Sequence, residues 1–212
     1  MRMLLVLIVL SLSAQCSLAR PVSYPGGVTA DISNNGDEHS VLLHYSPSAK
    51  YSLGIRSEYR RAGEYLLTGF QLNNLVKRWN KKDSQMNLYL KSGIGYADRN
   101  SSRLENDSKI AIFSGISGDW ESREYFISYE NRYLEAGSLD DFFMQRVRVG
   151  MAPYIADYGA LHAWLMVEVE HIPESENNIT LTPLVRLLKD VHRFEAGISS
   201  NRDVLLNWAV RF

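Results

Sequence analysis

The feature that most constrains this chain is an alternation of apolar and polar residues with a period of two, which recurs from residue 28 to residue 212. Successive side chains of a β-strand point to opposite faces, whereas a helical face repeats every ~3.6 residues. Clusters of Asn, Asp, Gly, Ser and Pro separate the alternating segments, as turns require. The pattern predicts twelve strands, at residues 28–32, 40–45, 51–60, 65–79, 85–96, 109–120, 124–134, 143–154, 161–172, 179–188, 191–199 and 204–212.

Each predicted strand has one apolar face and one mixed face. In the fifth strand, Met86, Leu88, Leu90, Ile94 and Tyr96 alternate with Gln85, Asn87, Tyr89 and Lys91. This parity alone does not decide whether the apolar face meets lipid or a soluble core. The strands are close to the ~9–11 residues of a tilted membrane strand, and aromatic residues stand near strand ends, where interfacial girdles belong. These aromatic residues are Tyr51, Trp79, Tyr96, Trp120, Tyr133, Tyr154 and Phe212.

The connections between the predicted strands alternate in length. If residue 212 lies at the periplasmic end, the connections at 46–50, 80–84, 120–124, 156–158 and 189–190 lie in the periplasm. Those at 34–38, 61–64, 98–107, 135–141, 173–178 and 200–203 then face outside, and they include the longest and most acidic ones. Membrane barrels show this asymmetry. We therefore predict an all-β fold, a closed antiparallel transmembrane β-barrel of about twelve strands, or ten if the two N-terminal segments are irregular.

The first residues have the pattern of an export signal. Arg2 supplies a basic start, residues 4–12 are apolar, and Ser17-Leu18-Ala19 is a small-x-small cleavage site. We predict a signal peptide at 1–19 and one barrel domain at 20–212. Cys16 is the single cysteine, so the mature chain would contain neither a disulfide nor a thiolate metal site.

The charges argue against one class of partner. The formal net charge is −1, and Lys and Arg are scattered singly rather than gathered into a patch that could follow phosphates. We therefore expect no nucleic-acid partner. We expect contacts with outer-membrane lipid and lipopolysaccharide, and no cofactor.

The last strand carries a recognisable pattern. Val204, Leu206, Trp208, Val210 and Phe212 occupy alternate positions and end on a terminal phenylalanine. This resembles the C-terminal assembly signature of bacterial outer-membrane proteins, which implies recognition by their insertion machinery and a location in the outer membrane. The segments PVSYPGG (21–27), HYSPSAKY (44–51) and VKRW (76–79) also resemble an uncharacterised proteobacterial outer-membrane family.

One set of residues suggests catalysis. His44, Ser46 and Glu58 are spaced as His-x-Ser with an acidic residue twelve positions after the serine. The set resembles outer-membrane phospholipases and lipid A deacylases, in which Ser46 would attack an acyl ester, His44 would accept its proton and Glu58 would orient the imidazole. Hairpin counting instead places Glu58 opposite His39, ~15–20 Å from Ser46 at ~3.3 Å per residue. We favour the interpretation of His44 as a lumen histidine and Ser46 as a turn serine.

Charged residues on the mixed faces are the second candidate site. They are Arg56, Glu58, Glu130, Arg132, Arg146, Arg148, Glu168, Glu170 and Arg186. Charges that line a barrel can select permeating ions or pair across strands to fill a narrow lumen. Because both signs occur in comparable amounts, we favour pairing.

Two further features have structural interpretations. The five histidines, His39, His44, His162, His171 and His192, do not form a tight ligand spacing, so we predict no metal site. Pro183 lies inside a predicted strand, where it removes a ladder donor, and therefore predicts a bulge.

The sequence thus favours a small outer-membrane channel or structural barrel for small polar solutes or ions. Two alternatives remain open: an outer-membrane lipid hydrolase that uses His44 and Ser46, and a soluble periplasmic β-barrel that binds a ligand inside.

Overall fold

The protein is a closed barrel of twelve antiparallel strands. The structure, a computed structural model, describes residues 20–100, 106–157, 159–175 and 177–212, so the predicted signal peptide lies outside the described residues. The strands are β1 (Val28–Asn34), β2 (Glu38–Ser48), β3 (Tyr51–Arg60), β4 (Tyr65–Asn80), β5 (Ser84–Arg99), β6 (Asp107–Ser122), β7 (Tyr125–Glu135), β8 (Asp141–Met151), β9 (His162–His171), β10 (Ile179–Lys189), β11 (His192–Ile198) and β12 (Val204–Arg211).

Each strand pairs with its neighbours in the chain, and β1 pairs with β12 to close the barrel. The closing ladder runs from Thr29 opposite Arg211 to Asn34 opposite Leu206. Backbone hydrogen bonds in both directions between Val28 and Phe212 extend it by one residue. The predicted fold class and strand number are therefore confirmed, and the alternative of ten strands is wrong because β1 pairs regularly with β2 from Val28 to Asn34 and with β12 from Thr29 to Asn34.

The period-two pattern matches the two faces of the barrel wall. In β5, Met86, Ile94 and Tyr96 are exposed on the outside, whereas Asn87 and Tyr89 are buried inside. The seven aromatic residues predicted for the girdles all have exposed side chains. A barrel with apolar residues outside and charged residues inside is the reverse of a soluble protein, and it is the arrangement that a lipid surround requires.

We call the two ends of the barrel by their connections. The turn end holds both Val28 and Phe212 and the connections after β2, β4, β6, β8 and β10, and the loop end holds the other six connections. The short turn predicted at 156–158 is wrong, because β8 ends at Met151 and β9 begins at His162. The alternation towards residue 154 that suggested a longer strand belongs to a connection, in which the Tyr154 hydroxyl donates to the Leu161 carbonyl at 2.8 Å.

Two predicted local details are also wrong. The β2–β3 register shifts between Tyr45 and Ser48, so Glu58 faces Ser40 rather than His39. Hairpin counting missed this irregularity. The expected bulge at Pro183 is absent from the β9–β10 ladder, which runs without a shift from Ile179 to Leu188.

Pro183 is tolerated because of the side that its nitrogen faces. Leu181, two residues earlier and so oriented the same way, bonds Ser200 on the β11 side. The regular β10–β11 ladder extends only to Leu184. The missing N–H of Pro183 therefore falls where that ladder has ended.

Candidate functional site

The inside of the barrel contains a compact cluster of ion pairs around a buried carboxylate. Glu58 is fully buried, and its Oε2 accepts from Arg56 Nε and from Arg132 Nη1, both at 2.7 Å. Glu38 joins from β2, at 3.3 Å from Arg56 and 3.5 Å from Arg60. We call these five residues the Glu58 cluster. Because charges of both signs meet here, the cluster fills the lumen rather than presenting one sign of charge to a solute.

A second group of ion pairs crosses the lumen from β8 to β11. Arg146 and Arg148 stand directly opposite Glu170 and Glu168 in the β8–β9 ladder and pair with them. Arg148 also reaches Glu195 of β11 at 3.0 Å. Directly opposite residues of opposite charge are favourable cross-strand pairs. We call these five residues the ion-pair layer.

The ion-pair layer separates two polar cavities. The inner cavity, of about 240 Å³, runs along the lumen from Arg20 and Glu121 near the turn end to Ser33 and Glu38 near the loop end, and the arginines of the ion-pair layer line part of its wall. The outer cavity, of about 260 Å³, opens among the connections of the loop end, and Glu168 and Glu170 line it. The arginines therefore face one cavity and two of their carboxylate partners face the other. The layer therefore forms part of the partition between the two cavities.

Apolar side chains close the remainder of the loop end. Arg60 and Arg132 of the Glu58 cluster stack on Phe142 and Phe113, with 3.9 and 4.7 Å from guanidinium carbon to ring centroid. The apolar cluster and the Glu58 cluster therefore form one packed unit. We call the apolar part the loop-end seal, and it consists of Tyr65, Leu67, Ala97, Ala111, Phe113, Leu134, Ala136, Leu139, Phe142, Met144 and Ile172.

The turn end is closed differently, by a tight turn that folds the chain before β1 back into the barrel. The Gly27 N–H donates to the Tyr24 carbonyl at 3.0 Å, across Pro25 and Gly26. Gly26 has a φ of 88°, which only glycine adopts readily. Pro at the second position and Gly with positive φ at the third are the features of a type II turn. The turn directs residues 20–23 into the mouth of the lumen.

Side chains of the barrel bind residues 20–23 in this position. The Ser23 N–H donates to Ser46 Oγ at 2.9 Å, and the Ser52 hydroxyl donates to the Pro21 carbonyl at 2.6 Å. Val22 is 2% exposed, and Arg20 pairs with Glu121 of β6. Desolvation by burial lowers the pKa of Arg20, against the opposing effect of nearby Tyr89 and Asp119. We call residues 20–24 the N-terminal segment. Its Arg20 and Pro21 form part of the wall of the inner cavity.

The structure does not bring the three predicted catalytic residues together. Ser46 is fully buried, and its hydroxyl oxygen accepts the Ser23 N–H. His44 lies two residues away on the same face of β2, but Glu58 stands opposite Ser40, six residues from Ser46 and ~20 Å along the strand at ~3.3 Å per residue. The carboxylate of Glu58 is paired with arginines, so it is not in place to orient His44.

All nine charged residues predicted for the lumen face inward, and their partners come from other strands in most cases. Glu130 pairs with Lys91 of β5 at 2.6 Å, and Arg186 pairs with Glu195 of β11 at 2.7 Å. Sequence reasoning missed Glu38, Arg60 and Glu195. Parity within β11 could have identified Glu195, whereas Glu38 precedes the predicted start of its strand.

The last strand follows its predicted parity with one exception. Val204, Leu206, Trp208 and Phe212 are exposed on the outside, but Val210 is 5% exposed. The sequence could not indicate this covering of Val210, since it depends on neighbouring strands. The outward Trp208 stacks on Phe194 of β11, with ring centroids 5.9 Å apart.

The histidines lie apart from one another in the barrel. His39 contacts Arg61, His192 contacts Trp208, and His162 packs on Trp164. Within the part of the chain that the structure describes, no three His, Cys, Asp or Glu side chains are placed to hold a metal ion. Among the same residues, no helix is long and apolar enough to span a membrane.

Comparisons with known proteins identify the architecture. No protein-family model matches the sequence, and no curated protein sequence matches it. Among solved structures, the KdgM porin in complex with disordered oligogalacturonate matches with a TM-score of 0.51 at 9% identity, over 88% of this chain and 98% of that chain. A second KdgM porin structure matches with the same score at 8% identity and the same coverage. LpxR from Salmonella typhimurium matches with a TM-score of 0.48 at 9% identity, over 88% of this chain and 99% of that chain.

At these identities the KdgM porin matches show the fold alone. They place the chain among barrels of the outer-membrane type and bear out that part of the sequence interpretation. Membership of the particular proteobacterial family suggested by the three short segments stays a prediction.

Proposed function

We propose that this protein is an outer-membrane barrel that passes small ions and polar solutes through a narrow, normally closed lumen. The observation that carries the proposal is the pair of polar cavities on the two sides of the ion-pair layer. A barrel that served only as a scaffold could fill this space with side chains. Cavities that are polar and hold water-sized spaces provide the two ends of a permeation path.

The outward face supports the location. Large apolar side chains are exposed on each of the twelve strands, as the hydrocarbon of a membrane requires. We infer that outer-membrane lipid and lipopolysaccharide contact this face, and that the insertion machinery reads the last strand. A soluble periplasmic barrel with a ligand inside would not present such a surface. Recovery of the protein in the soluble periplasmic fraction without detergent would contradict the membrane location.

The path has mixed charge. The charged residues that line the outer cavity are Asp37, Glu168, Glu170 and Asp203, whereas both arginines and carboxylates line the inner cavity. A strongly selective pore usually presents one dominant sign. We therefore expect weak selectivity between small cations and anions.

Conductance in planar lipid bilayers tests the channel. The unmodified protein should show brief, small openings, because the ion-pair layer interrupts the path. The double variant Arg148→Ala/Glu168→Ala removes the Arg148–Glu168, Arg148–Glu195 and Arg146–Glu168 ion pairs without changing net charge, and it leaves Arg146 paired with Glu170. We expect it to raise the mean current severalfold.

A matched control is available on the inner cavity wall. Lys91→Ala/Glu130→Ala removes an ion pair of the same kind, but from a place that is already open. Its current should stay close to that of the unmodified protein. No current from any of the three proteins would contradict the channel.

Lipid hydrolysis has a separate test. Phospholipid and lipopolysaccharide are incubated with the unmodified protein and with Ser46→Ala, and released fatty acid is measured. Because Ser46 Oγ is buried and bonded to Ser23, we expect no release by either protein. Release by the unmodified protein that Ser46→Ala abolishes would favour the hydrolase instead.

A further inference from the structure

We propose that the N-terminal segment, residues 20–24, is a removable plug that closes the inner cavity at the turn end. The proposal rests on the proposed channel function, and its first test does not depend on conductance. The segment belongs to the motif PVSYPGG, which neither the fold nor the ion-pair layer explains.

The segment lies in the mouth of the inner cavity at the turn end. Arg20 and Pro21 line the inner cavity together with Asn73 and Glu121, which belong to the turn-end part of β4 and β6. Another part of the same end is filled by the apolar cluster of Ala152, Trp164, Met166 and Leu184. The N-terminal segment therefore closes the side of the mouth nearest β2, β3, β4 and β6.

The way in which the segment is held makes it separable from the barrel. Residues 20–23 contribute no rung to a strand ladder, and the bonds that hold them come from barrel side chains: Ser46, Ser52, Asn73 and Glu121. Val22 is its buried apolar anchor. Segments with few backbone bonds and little buried apolar surface open at lower free energy than the strands around them.

The turn before β1 is built as a hinge for this segment. Pro25 and Gly26 set the type II turn, and Gly27 lies so close to the segment that a Cβ added there would be 2.6 Å from Ser23 Oγ. The two glycines therefore let residues 20–23 fold tightly into the mouth. Beyond the turn, β1 is fixed by its ladders to β2 and β12, so that motion is confined to the residues before Gly27.

A second feature indicates that the occupied mouth is a prepared site. Ser46 and Ser52 are fully buried polar residues, and the backbone of the segment bonds both. Asn73, also fully buried, donates to Ser52 Oγ at 2.9 Å and to the Pro21 carbonyl at 3.4 Å. Three buried polar side chains thus converge on two backbone groups of one short segment, the Ser23 N–H and the Pro21 carbonyl.

The first test measures access to Ser46 without any current. In a Cys16→Ser background the thiol introduced by Ser46→Cys is the only one, and its reaction with a membrane-impermeant maleimide is followed in the purified full-length barrel. Adding Val22→Asp should release the segment, because a buried unpaired carboxylate is unfavourable, and we expect roughly tenfold faster labelling.

Ser138→Ala is the matched control for labelling. It removes an exposed hydrogen bond from the Ser138 hydroxyl to Asp107 at the loop end, the end opposite to Ser46, and should leave the labelling rate unchanged. Equal labelling rates with Val22 and with Val22→Asp would overturn the plug, whatever the conductance of the barrel.

The second test measures whether the plug limits the current through the channel. The N–H of Ser23 lies 2.9 Å from Ser46 Oγ, so Ser23→Cys/Ser46→Cys should form a disulfide that locks the segment in the mouth. The pair is placed in the Cys16→Ser, Arg148→Ala/Glu168→Ala background, in which the ion-pair layer is weakened. Reduction of the disulfide should raise the mean current severalfold and reversibly.

The failures of the two proposals are distinguishable. Faster labelling of Val22→Asp without any current from any variant supports the plug and contradicts the channel. A current from Arg148→Ala/Glu168→Ala that is the same with the disulfide oxidised and reduced overturns the plug and leaves the channel standing.

Discussion

The two ends of the lumen are closed by different physical means. At the loop end, the loop-end seal consists largely of strand residues such as Leu67, Leu134 and Phe142. Arg60 and Arg132 stack on two aromatic rings of this seal. At the turn end, the N-terminal segment is held mostly by side-chain hydrogen bonds and one ion pair. A closure that shares its packing with the barrel wall cannot open without the wall, whereas a tethered segment can. The comparison predicts that substitutions at the loop end alter the stability of the barrel, whereas substitutions in the N-terminal segment alter only access to the lumen.

The largest effect is expected at the centre of the Glu58 cluster. Glu58→Ala leaves Arg56 and Arg132 buried without their closest carboxylate, and breaking one partner of a buried pair costs roughly 3–5 kcal/mol of the free energy of unfolding. Urea titration in detergent micelles, followed by tryptophan fluorescence, measures it. Asp190→Asn removes the charge of an exposed partner of Lys189, keeps a side chain that tolerates the φ of 53° at this position, and should cost under ~1 kcal/mol. Equal costs for the two variants would show that the cluster does not support the loop end.

A substitution in the loop-end seal should have the next largest effect. Leu67→Ala removes a buried side chain that is 1% exposed and should cost roughly 2–5 kcal/mol. Leu66→Ala, next to it on the outward face, is the matched control and should cost less than half as much, because lipid can fill the space. The same urea titration compares them. Similar costs would mean that the two faces of β4 have similar surroundings.

Val22→Ala should show that the N-terminal segment contributes less than the loop-end seal to the free energy of unfolding. The N-terminal segment opens locally before the barrel unfolds, so loss of its anchor should change the free energy of global unfolding by less than ~0.5 kcal/mol. Amide hydrogen exchange at Ser23 and Gly26 should nevertheless become faster, since their N–H groups bond Ser46 while the segment is in place. A global loss as large as that of Leu67→Ala would show that the segment is part of the wall.

The smallest effect is expected away from both ends, at Pro183. Its side chain is outward, and its nitrogen faces the side where the β10–β11 ladder has ended. Pro183→Ala should therefore change the free energy of unfolding by no more than about 0.5 kcal/mol. A loss of ~2 kcal/mol or more in the same titration would indicate that the proline fixes the register of β10.

The strand pattern was accessible from sequence because its cause is local. Met86, Ile94 and Tyr96 face out and Asn87 and Tyr89 face in because successive residues of a strand must alternate. The register of Glu58 was missed, because residues 46–50 were assigned to the turn and Pro47 was therefore not interpreted as the sign of an irregularity within β2. The predicted partner of Glu58 was therefore His39, one residue away from the observed partner, Ser40.

The candidate site was predicted in part. Parity placed Arg146, Arg148, Glu168 and Glu170 in the lumen, since their positions repeat every second residue. It could not show that Arg148 also bonds Glu195 across the barrel, because that contact depends on how the sheet curves. The residues of the turn, Pro25-Gly26-Gly27, are apparent in the sequence. Only the folded barrel shows that Ser46 and Ser52 hydrogen-bond the backbone of residues 20–23.

The sequence by itself determined the strand pattern, the alternation between the two faces of the wall and the sign of each lumen charge, because each follows from the period of two and from residue type. The tertiary structure alone decided which charges pair, where the cavities lie and what closes each end of the lumen. Those properties depend on barrel closure, which brings residues of β1 to β12 around one axis irrespective of their separation in the chain. Closure also turned Ser46, a candidate nucleophile in the sequence, into a buried acceptor for the chain's own N-terminal segment.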